Sequence, residues 1–405
     1  MAHDTDKTRV LRLGVIGAGD FAEACHIPGL QSHPLAKVVA LCGRRYDHAR
    51  AMADRLGVPD VHTDYRELCM REDLDAVTIA TPNAAHSGPA MNAFTHGKHV
   101  FCEKPLATTL AEAKGMTDAA VASGNVHRMA FTFRYLYGVR ELRRRLLKGD
   151  IGEPYYLRVQ YDGWTGLRPD WKATWRDTRD AAGGGLFYDL GSHLFDLARF
   201  VLGPLETVTG YVHHIPRMAP DSRTGRLTAV ETDDLAAAWF RHRSGVRGQW
   251  FISRITPPYT DNGQLEVIGP EGALKASLSR GKLDVLKVSR PTAPEWEALP
   301  LPDSAQDGTP HALPLMMRSF VTACLRAGHH EYDEMDETDE MNAHDEIHPS
   351  FHDGLAAQEA LEAFAASTKA PAWVPVSAEE PLSSHCTSEG HHDDIRPTQQ
   401  SAPHL

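Results

Sequence analysis

The stretch Val10-Leu11-Arg12-Leu13-Gly14-Val15-Ile16-Gly17-Ala18-Gly19-Asp20-Phe21-Ala22 decides how the first third of the chain is read. Val10 to Ile16 is mostly apolar and partly β-branched, which predicts a buried strand. A glycine turn follows at once. Gly17 permits a tight reversal, Gly19 removes the side chain that would block a pyrophosphate, and Ala22, at the usual third glycine, is small enough for close helix–strand packing. Backbone N–H groups of the following helix then face the phosphates. Gly17, Gly19, Asp20, Phe21 and Ala22 are therefore expected to hold a dinucleotide.

The alternation continues downstream. Helical spacing runs through Leu30 with Pro28 perturbing it, then strand Lys37–Leu41, helix Asp47–Leu56, strand Ala76–Ala80, helix Ala84–His96 and strand His99–Cys102. Strands alternating with helices predict a doubly wound parallel sheet. After about residue 150 the pattern changes. Tyr155–Tyr161, Leu205–His213, Asp234–Arg241, Val246–Ser253, Leu265–Ile268 and Leu283–Val288 read as strands, with one helix at Leu186–Leu202 ended by Gly203-Pro204. The expected fold is α/β: an N-terminal Rossmann domain, 9–130, and a C-terminal α+β domain, 131–376, with a large open, mainly antiparallel sheet. Helical spacing returns at Leu355–Ser367.

The formal charge of −12 is concentrated in two places. Glu331–Glu346 holds nine acidic side chains and no Lys or Arg, and Ser377–Leu405 adds five acids against Arg396. The first reads as part of a solvated insertion, about 329–348, and the second as a disordered tail, 377–405. The rest of the chain is near neutral, so no basic stripe marks nucleic acid as a partner. No run has the roughly 18 apolar residues of a membrane span, and the polar start lacks a signal-peptide pattern, which predicts a cytoplasmic protein. Six cysteines form no Cys-x-x-Cys pair and read as reduced, buried thiols. His329, His330, His344, His348, His352, His385, His391 and His392 have no metal-site spacing in an apolar setting, so no metal is expected.

The end of the second strand bears on cofactor choice. An NAD site usually places a carboxylate there for the ribose hydroxyls, whereas this chain has Cys42-Gly43-Arg44-Arg45. Arg44 and Arg45 suit a 2′-phosphate, so NADP is expected over NAD.

Two further segments carry chemistry. Lys104 follows a predicted parallel strand at the carboxyl end, where such sheets bind ligands, and its ammonium can stabilise alkoxide character on a substrate oxygen. Asp189 and His193 are four apart in the Leu186–Leu202 helix, on one face, so the carboxylate can orient an imidazole that acts as base. Lys104, Asp189 and His193 are the expected catalytic set. Trp164, Trp175 and Arg176 lie just before Gly183-Gly184-Gly185, where aromatic faces suit sugar C–H groups. With Arg134, Tyr135 and Asp162 they are the substrate-side candidates.

These segments resemble the Gfo/Idh/MocA family of oxidoreductases, which includes glucose–fructose oxidoreductase and inositol dehydrogenases. The matching residues are Gly17–Ala22, Thr81-Pro82-Asn83 with His86, Gly97 to Pro105 with its Glu103-Lys104-Pro105, Gly183-Gly184-Gly185 leading to Asp189, His193 and Asp196, and Pro349 to Gly354. The resemblance implies a catalytic Lys104 and an acid–base pair Asp189/His193. It further implies cofactor contacts at Thr81, Pro82, Asn83, His86 and Glu103, a sugar, cyclitol or small polyol substrate, and a homodimer or homotetramer formed through the sheet. Two other activities fit the same fold: a recycled, tightly bound cofactor, as in NAD-dependent glycoside hydrolysis, and non-catalytic sensing of dinucleotide or sugar.

Overall fold

The computed structural model describes residues 9–256, 263–278, 286–299, 312–328 and 347–376. The expected tail at 377–405, and the expected insertion apart from Ile347 and His348, lie outside the described residues.

Strand β1 (Leu11–Ile16) sits inside a fully parallel sheet with β2 (Ala36–Cys42), β3 (Asp60–His62), β4 (Ala76–Ile79), β5 (His99–Cys102) and β6 (His127–Met129), in the order β3-β2-β1-β4-β5-β6. Helices cover both faces, which is why Leu13 and Val15, on one face, and Ile79 and Val100, on the other, are all buried. The crossover direction reverses at β1, between β2 and β4. Ligands of such sheets bind at the carboxyl ends of the strands there, and that point is where Gly17 stands. The first helix is irregular. Ala22–His26 is a π turn and Ile27–Gln31 a new α-helix with Pro28 in its first turn, a place where a missing N–H leaves no bond unmade.

The second sheet contains, among the described residues, nine strands. In chain order they are β7 (Tyr156–Asp162), β8 (Leu205–His213), β11 (Leu235–His242), β12 (Arg247–Ser253), β13 (Gly263–Gly269), β14 (Gly272–Ser277), β15 (Leu286–Arg290), β16 (Ala293–Ala298) and β17 (Val374–Pro375). The pairing is antiparallel except between β7 and β12. A hairpin, β9 (Arg217–Pro220) with β10 (Leu227–Val230), stands apart. One face of the sheet packs on the Leu186–Leu202 helix through Phe195, whose ring meets Trp250 at 5.2 Å and Phe240 at 6.2 Å. The opposite face leaves Tyr211 and Trp239 exposed. Cys25, Cys42, Cys69, Cys102 and Cys324 are buried, and burial pushes the Cys42 thiol up to about 11.

The Phe351–Lys369 helix joins the two halves, packing on the Leu110–Ser123 helix of the first and on β8 and the Leu186–Leu202 helix of the second. Its start is tied to β6. Pro349 carbonyl accepts from Met129 N–H at 2.8 Å, and Phe351 N–H donates to His127 Nδ1 at 3.1 Å. A nitrogen that accepts that bond carries no proton, so the fold requires neutral His127. Burial, with His352 and Arg128 nearby, lowers the His127 value to about 4. The folded state therefore binds fewer protons than the unfolded chain between pH 6.5 and 4. The stabilisation is complete above pH 6.5 and is lost as pH falls through that window, with an upper limit of about 3 kcal/mol. A His127→Gln variant, denatured by urea at a series of pH values, should show a shallower loss of stability between pH 6.5 and 4 than the parent; parallel curves would remove His127 as the latch.

Candidate active site

Gly17 adopts φ +114° and donates its N–H to the Cys42 carbonyl at 2.9 Å, closing the turn between β1 and β2. A Cβ there would stand 2.5 Å from the Ala80 carbonyl oxygen. Gly19 is different: nothing lies within 4 Å of the position its Cβ would take. Asp20 is exposed, Phe21 half-buried and Ala22 buried. The turn thus presents open space in front of a helix start, the shape a pyrophosphate needs. Arg44 and Arg45 are exposed beyond β2, and Gly43 packs against Ala18 and Ala49.

The loop after β4 is built from inside. Thr81 and Pro82 stay half-exposed. Asn83 turns its amide across the domain junction, donating to the Ala182 carbonyl at 2.9 Å. His86 is fully buried, with its two ring nitrogens 3.1 Å from the Thr81 oxygen and 2.9 Å from the Pro105 oxygen, and burial lowers its value. Both side chains fix loops rather than reach open space. Glu103 is met by a residue that the sequence reading passed over: buried His26, whose Nε2 lies 3.2 Å from Glu103 Oε1. The helical spacing from Gly19 was visible, but nothing in it pointed His26 at Glu103.

Lys104 reaches from the parallel sheet to the helix of the other half. Its ammonium forms an ion pair and hydrogen bond with the Asp189 carboxylate and donates to the Asp189 carbonyl at 3.1 Å. The Lys104–Pro105 peptide is cis. Depth in the protein would raise the Asp189 value, but Lys104 first, then Arg176 and His193, more than offset this and hold the carboxyl well below the usual range. Arg176 Nε stands 3.9 Å from the second carboxylate oxygen. His193, one turn along the helix, is buried against Phe133 at 4.8 Å and Phe131 at 5.9 Å.

The triple glycine positions that helix. Gly183 takes φ +78° against Thr108, a Cβ on Gly184 would overlap the Tyr188 ring, and one on Gly185 would overlap Asp233. Asp233 in turn accepts from Phe187 N–H at 3.0 Å in the helix's first turn. Burial raises the Asp233 value to about 6.

A cavity of about 150 Å³ leads to Asp189, bounded by Trp171, Thr174, Arg176 and Arg254. Two guanidinium groups lie over the Trp171 ring, Arg217 at 4.9 Å and Arg254 at 5.5 Å from its centre. Asp234 holds both arginines at 2.7 Å, and Asp177 holds Arg254 at 2.7 Å. Arg254, just past β12, had no motif to announce it. Of the expected substrate side chains, Arg176 borders this cavity and Trp175 lies beneath Arg176 at 4.4 Å. Trp164 is exposed and carries Arg168 at 6.0 Å.

The other three are not brought there. Asp162 is buried beside Gln160, and the alternation of β7 turns it away from the Trp250 face that packs on the Leu186–Leu202 helix. The buried Tyr135 hydroxyl meets Ser319 at 3.3 Å and His348 Nδ1 at 3.1 Å. Arg134 is buried and forks onto Asp196, with a further bond to Asp353 at 2.8 Å. Among the described residues, no group of three or more His, Cys, Asp or Glu is arranged to hold a metal, and no helix is long and apolar enough to cross a membrane.

Residues 11–131 match the model described as "Oxidoreductase family, NAD-binding Rossmann fold", and residues 139–275 match the "GFO/IDH/MocA C-terminal domain". The chain belongs to the Gfo/Idh/MocA oxidoreductase family. It is 32% identical to the 1,5-anhydro-D-fructose reductase of Ensifer adhaerens over 265 residues, 65% of this chain and 74% of that one. Identity to the levoglucosan dehydrogenase of Pseudarthrobacter phenanthrenivorans is 28% over 295 residues, 67% and 74% of the two chains. The solved structure of a levoglucosan dehydrogenase with NADH and levoglucosan shares the fold, with TM-score 0.78 and 24% identity over 91% of this chain and 100% of that chain. The expected fold class and family are thereby shown, and the chain is an NAD-binding oxidoreductase.

Within this Gfo/Idh/MocA member, Arg134 is a strut between the Leu186–Leu202 and Phe351–Lys369 helices. Arg134→Met leaves buried Asp196 without its hydrogen-bonded cation and half-buried Asp353 with Arg199 alone, so it should cost about 3–5 kcal/mol in chemical denaturation. A change below about 1 kcal/mol, the range of an exposed ion pair, would show that the cluster is not structural.

Proposed function

We propose that the protein moves hydride between a nicotinamide dinucleotide and the hydroxyl/carbonyl pair of a sugar, cyclitol or related small polyol. The observation that carries this reading is the junction itself: an ammonium from the nucleotide-binding half held by a carboxylate of the other half, beside a small polar cavity. The residues at Gly17–Ala22 fit a dinucleotide, which when bound supplies a carbon that accepts or returns hydride. Lys104 Nζ donates to the substrate oxygen and offsets the negative charge that grows there as the hydroxyl proton leaves. In oxidation the C–H and O–H bonds break and C=O forms; His193 takes the hydroxyl proton, and in reduction gives it back. Asp189, anionic throughout, keeps Lys104 aimed. Trp171 offers a flat face to ring C–H groups, while Arg176, Arg254 and Thr174 supply hydroxyl partners. The named substrates of the relatives, an anhydro sugar and an anhydro ketose, belong to the same class.

For the cofactor we propose NADP over NAD. Two exposed guanidinium groups, with no carboxylate between Gly43 and Arg45, support a 2′-phosphate, although the related levoglucosan dehydrogenase was solved with NADH. The exposed Tyr211 and Trp239 on the outer sheet face support association of copies there.

Lys104→Ala should lower turnover on a responsive polyol by roughly 10²–10⁴-fold, with cofactor affinity by fluorescence titration unchanged. Turnover near that of the parent would remove Lys104 from the reaction. Replacing Arg44 by Asp together with Arg45 by Ser should raise KM for NADPH about tenfold or more while sparing NADH, as the loss of charged hydrogen bonds implies. An unchanged ratio of the two KM values would reject the NADP assignment.

A further inference from the structure

Fully buried His26 has no part in the proton and hydride steps, yet it links the dinucleotide turn to the strand that delivers Lys104. Its place follows from the irregular first helix. Pro28 offers the helical ladder no N–H and crowds the carbonyl of Ala24, four residues back. The turn before it is of the π type, closed by Ile27 N–H on the Ala22 carbonyl. An α-helix would point Phe21 and His26 about 140° apart. Here the two rings meet edge to face at 5.8 Å, and His26 also meets Phe101 of β5 at 5.6 Å.

Two phenyl rings would accept an apolar neighbour at less cost than a buried imidazole. His26 Nδ1 is buried and has no hydrogen-bond partner among the described residues. The polar contact that the ring keeps is at Nε2, 3.2 Å from Glu103 Oε1. With Nδ1 bare, the proton belongs on Nε2, which donates to the carboxylate. The other oxygen, Oε2, accepts the Lys104 N–H at 3.3 Å. One donor on each oxygen fixes the rotation of the carboxylate and leaves each oxygen a second lone pair. The Glu103 side chain keeps 12% of its surface open.

We propose that His26 is a positioning residue for the dinucleotide: it holds the Glu103 carboxylate at the carboxyl end of β5, turned to accept the hydroxyls of the nicotinamide-side ribose. The inference rests on the dinucleotide reading of Gly17–Ala22. In a doubly wound sheet the adenosine ribose lies by the end of β2 and the pyrophosphate at the start of the first helix, so the other half of the cofactor falls across β1, over the ends of β4 and β5. Glu103 directly follows β5. A diol is matched by two acceptor oxygens in a fixed plane, and a carboxylate free to rotate must first be ordered. The same bond ties the helix of the phosphate turn to the backbone at Lys104, whose other neighbour, Pro105, has its carbonyl 2.9 Å from buried His86 Nδ1.

The test is isothermal titration of the full chain with NADPH, NADH and ADP, in the parent, His26→Gln and His26→Asn. A glutamine amide places its NH₂ where Nε2 stands, whereas an asparagine amide places its own where Nδ1 stands. For the reduced cofactor that the parent binds more tightly, His26→Asn should raise Kd about tenfold, as the loss of a hydrogen bond to a charged group implies, while His26→Gln should stay within about threefold of the parent. Kd for ADP, which lacks the nicotinamide half, should be the same in all three. Equal losses for reduced cofactor and ADP would make His26 a prop of the turn alone and overturn the role, as would an asparagine variant that binds like the parent or a glutamine variant no better than asparagine. If His26→Asn does not fold, His26→Phe, which keeps a ring beside Phe21 and Phe101 without the donor, replaces it under the same expectations. A parent that binds neither NADPH nor NADH would remove the dinucleotide reading itself and the proposal with it; no arm requires turnover.

Discussion

The ion pair between Lys104 and Asp189 is the constraint around which the rest of the structure is arranged. Neither partner has a reason to stay in place by itself: an ammonium after a strand would otherwise be solvated, and a carboxylate in a helix's first turn would pair with its own backbone. Each is held by something larger. The parallel sheet delivers Lys104 at the strand ends where the dinucleotide turn also opens, and three successive glycines let the Leu186–Leu202 helix start against Thr108, Tyr188 and Asp233 without a side chain in the way. Because the two charges come from different halves, the site exists only while the halves keep their relation.

That relation has its own supports. Asn83 bonds to Ala182 across the junction, and the Phe351–Lys369 helix is capped by Ser350 and Asp353, latched by His127, and packed on both sheets' helices. The Arg134 fork on Asp196 and Asp353 ties the same helix to the Leu186–Leu202 helix. One helix therefore carries Asp189, the partner of Lys104, near its start and Asp196, the partner of Arg134, toward its end.

Much of this was legible in the sequence where a local pattern had to be long or chemically unusual. The parallel sheet follows from apolar runs separated by helical spacing, and the Leu186–Leu202 helix was bounded to the residue because Gly203-Pro204 ends it. Strands β3 and β6, three residues each, were not foreseen, since no period can be read from so few positions. Lys104, Asp189 and His193 were grouped in advance because their residue types matched one chemistry, with His193 rather than Lys104 as the expected partner of Asp189. Arg134, Tyr135 and Asp162 were substrate-side candidates, and their surroundings lie elsewhere: two carboxylates claim Arg134, Ser319 and His348 meet the Tyr135 hydroxyl, and strand alternation turns Asp162 to the far face. Arg254 and His26 show the converse. Each gains its place from a partner about 20 to 77 residues away, Asp234 and Asp177 for the first and Glu103 for the second, and no window along the chain contains that fact.

The same distinction separates the two arginine groups. Arg217 and Arg254 are neutralised in place by Asp234 and Asp177, and with Trp171 packed against both they form one wall of the cavity at Asp189. Four arginines around the other end of the Leu186–Leu202 helix, Arg128, Arg134, Arg143 and Arg199, line a separate cavity together with Asp353. A wall whose charges are internally balanced selects ligands by hydroxyl geometry, because an added charge would find no partner in it. The two cavities are thus lined differently, one beside the Lys104–Asp189 pair with Arg254 held by Asp177 and Asp234, the other remote from it.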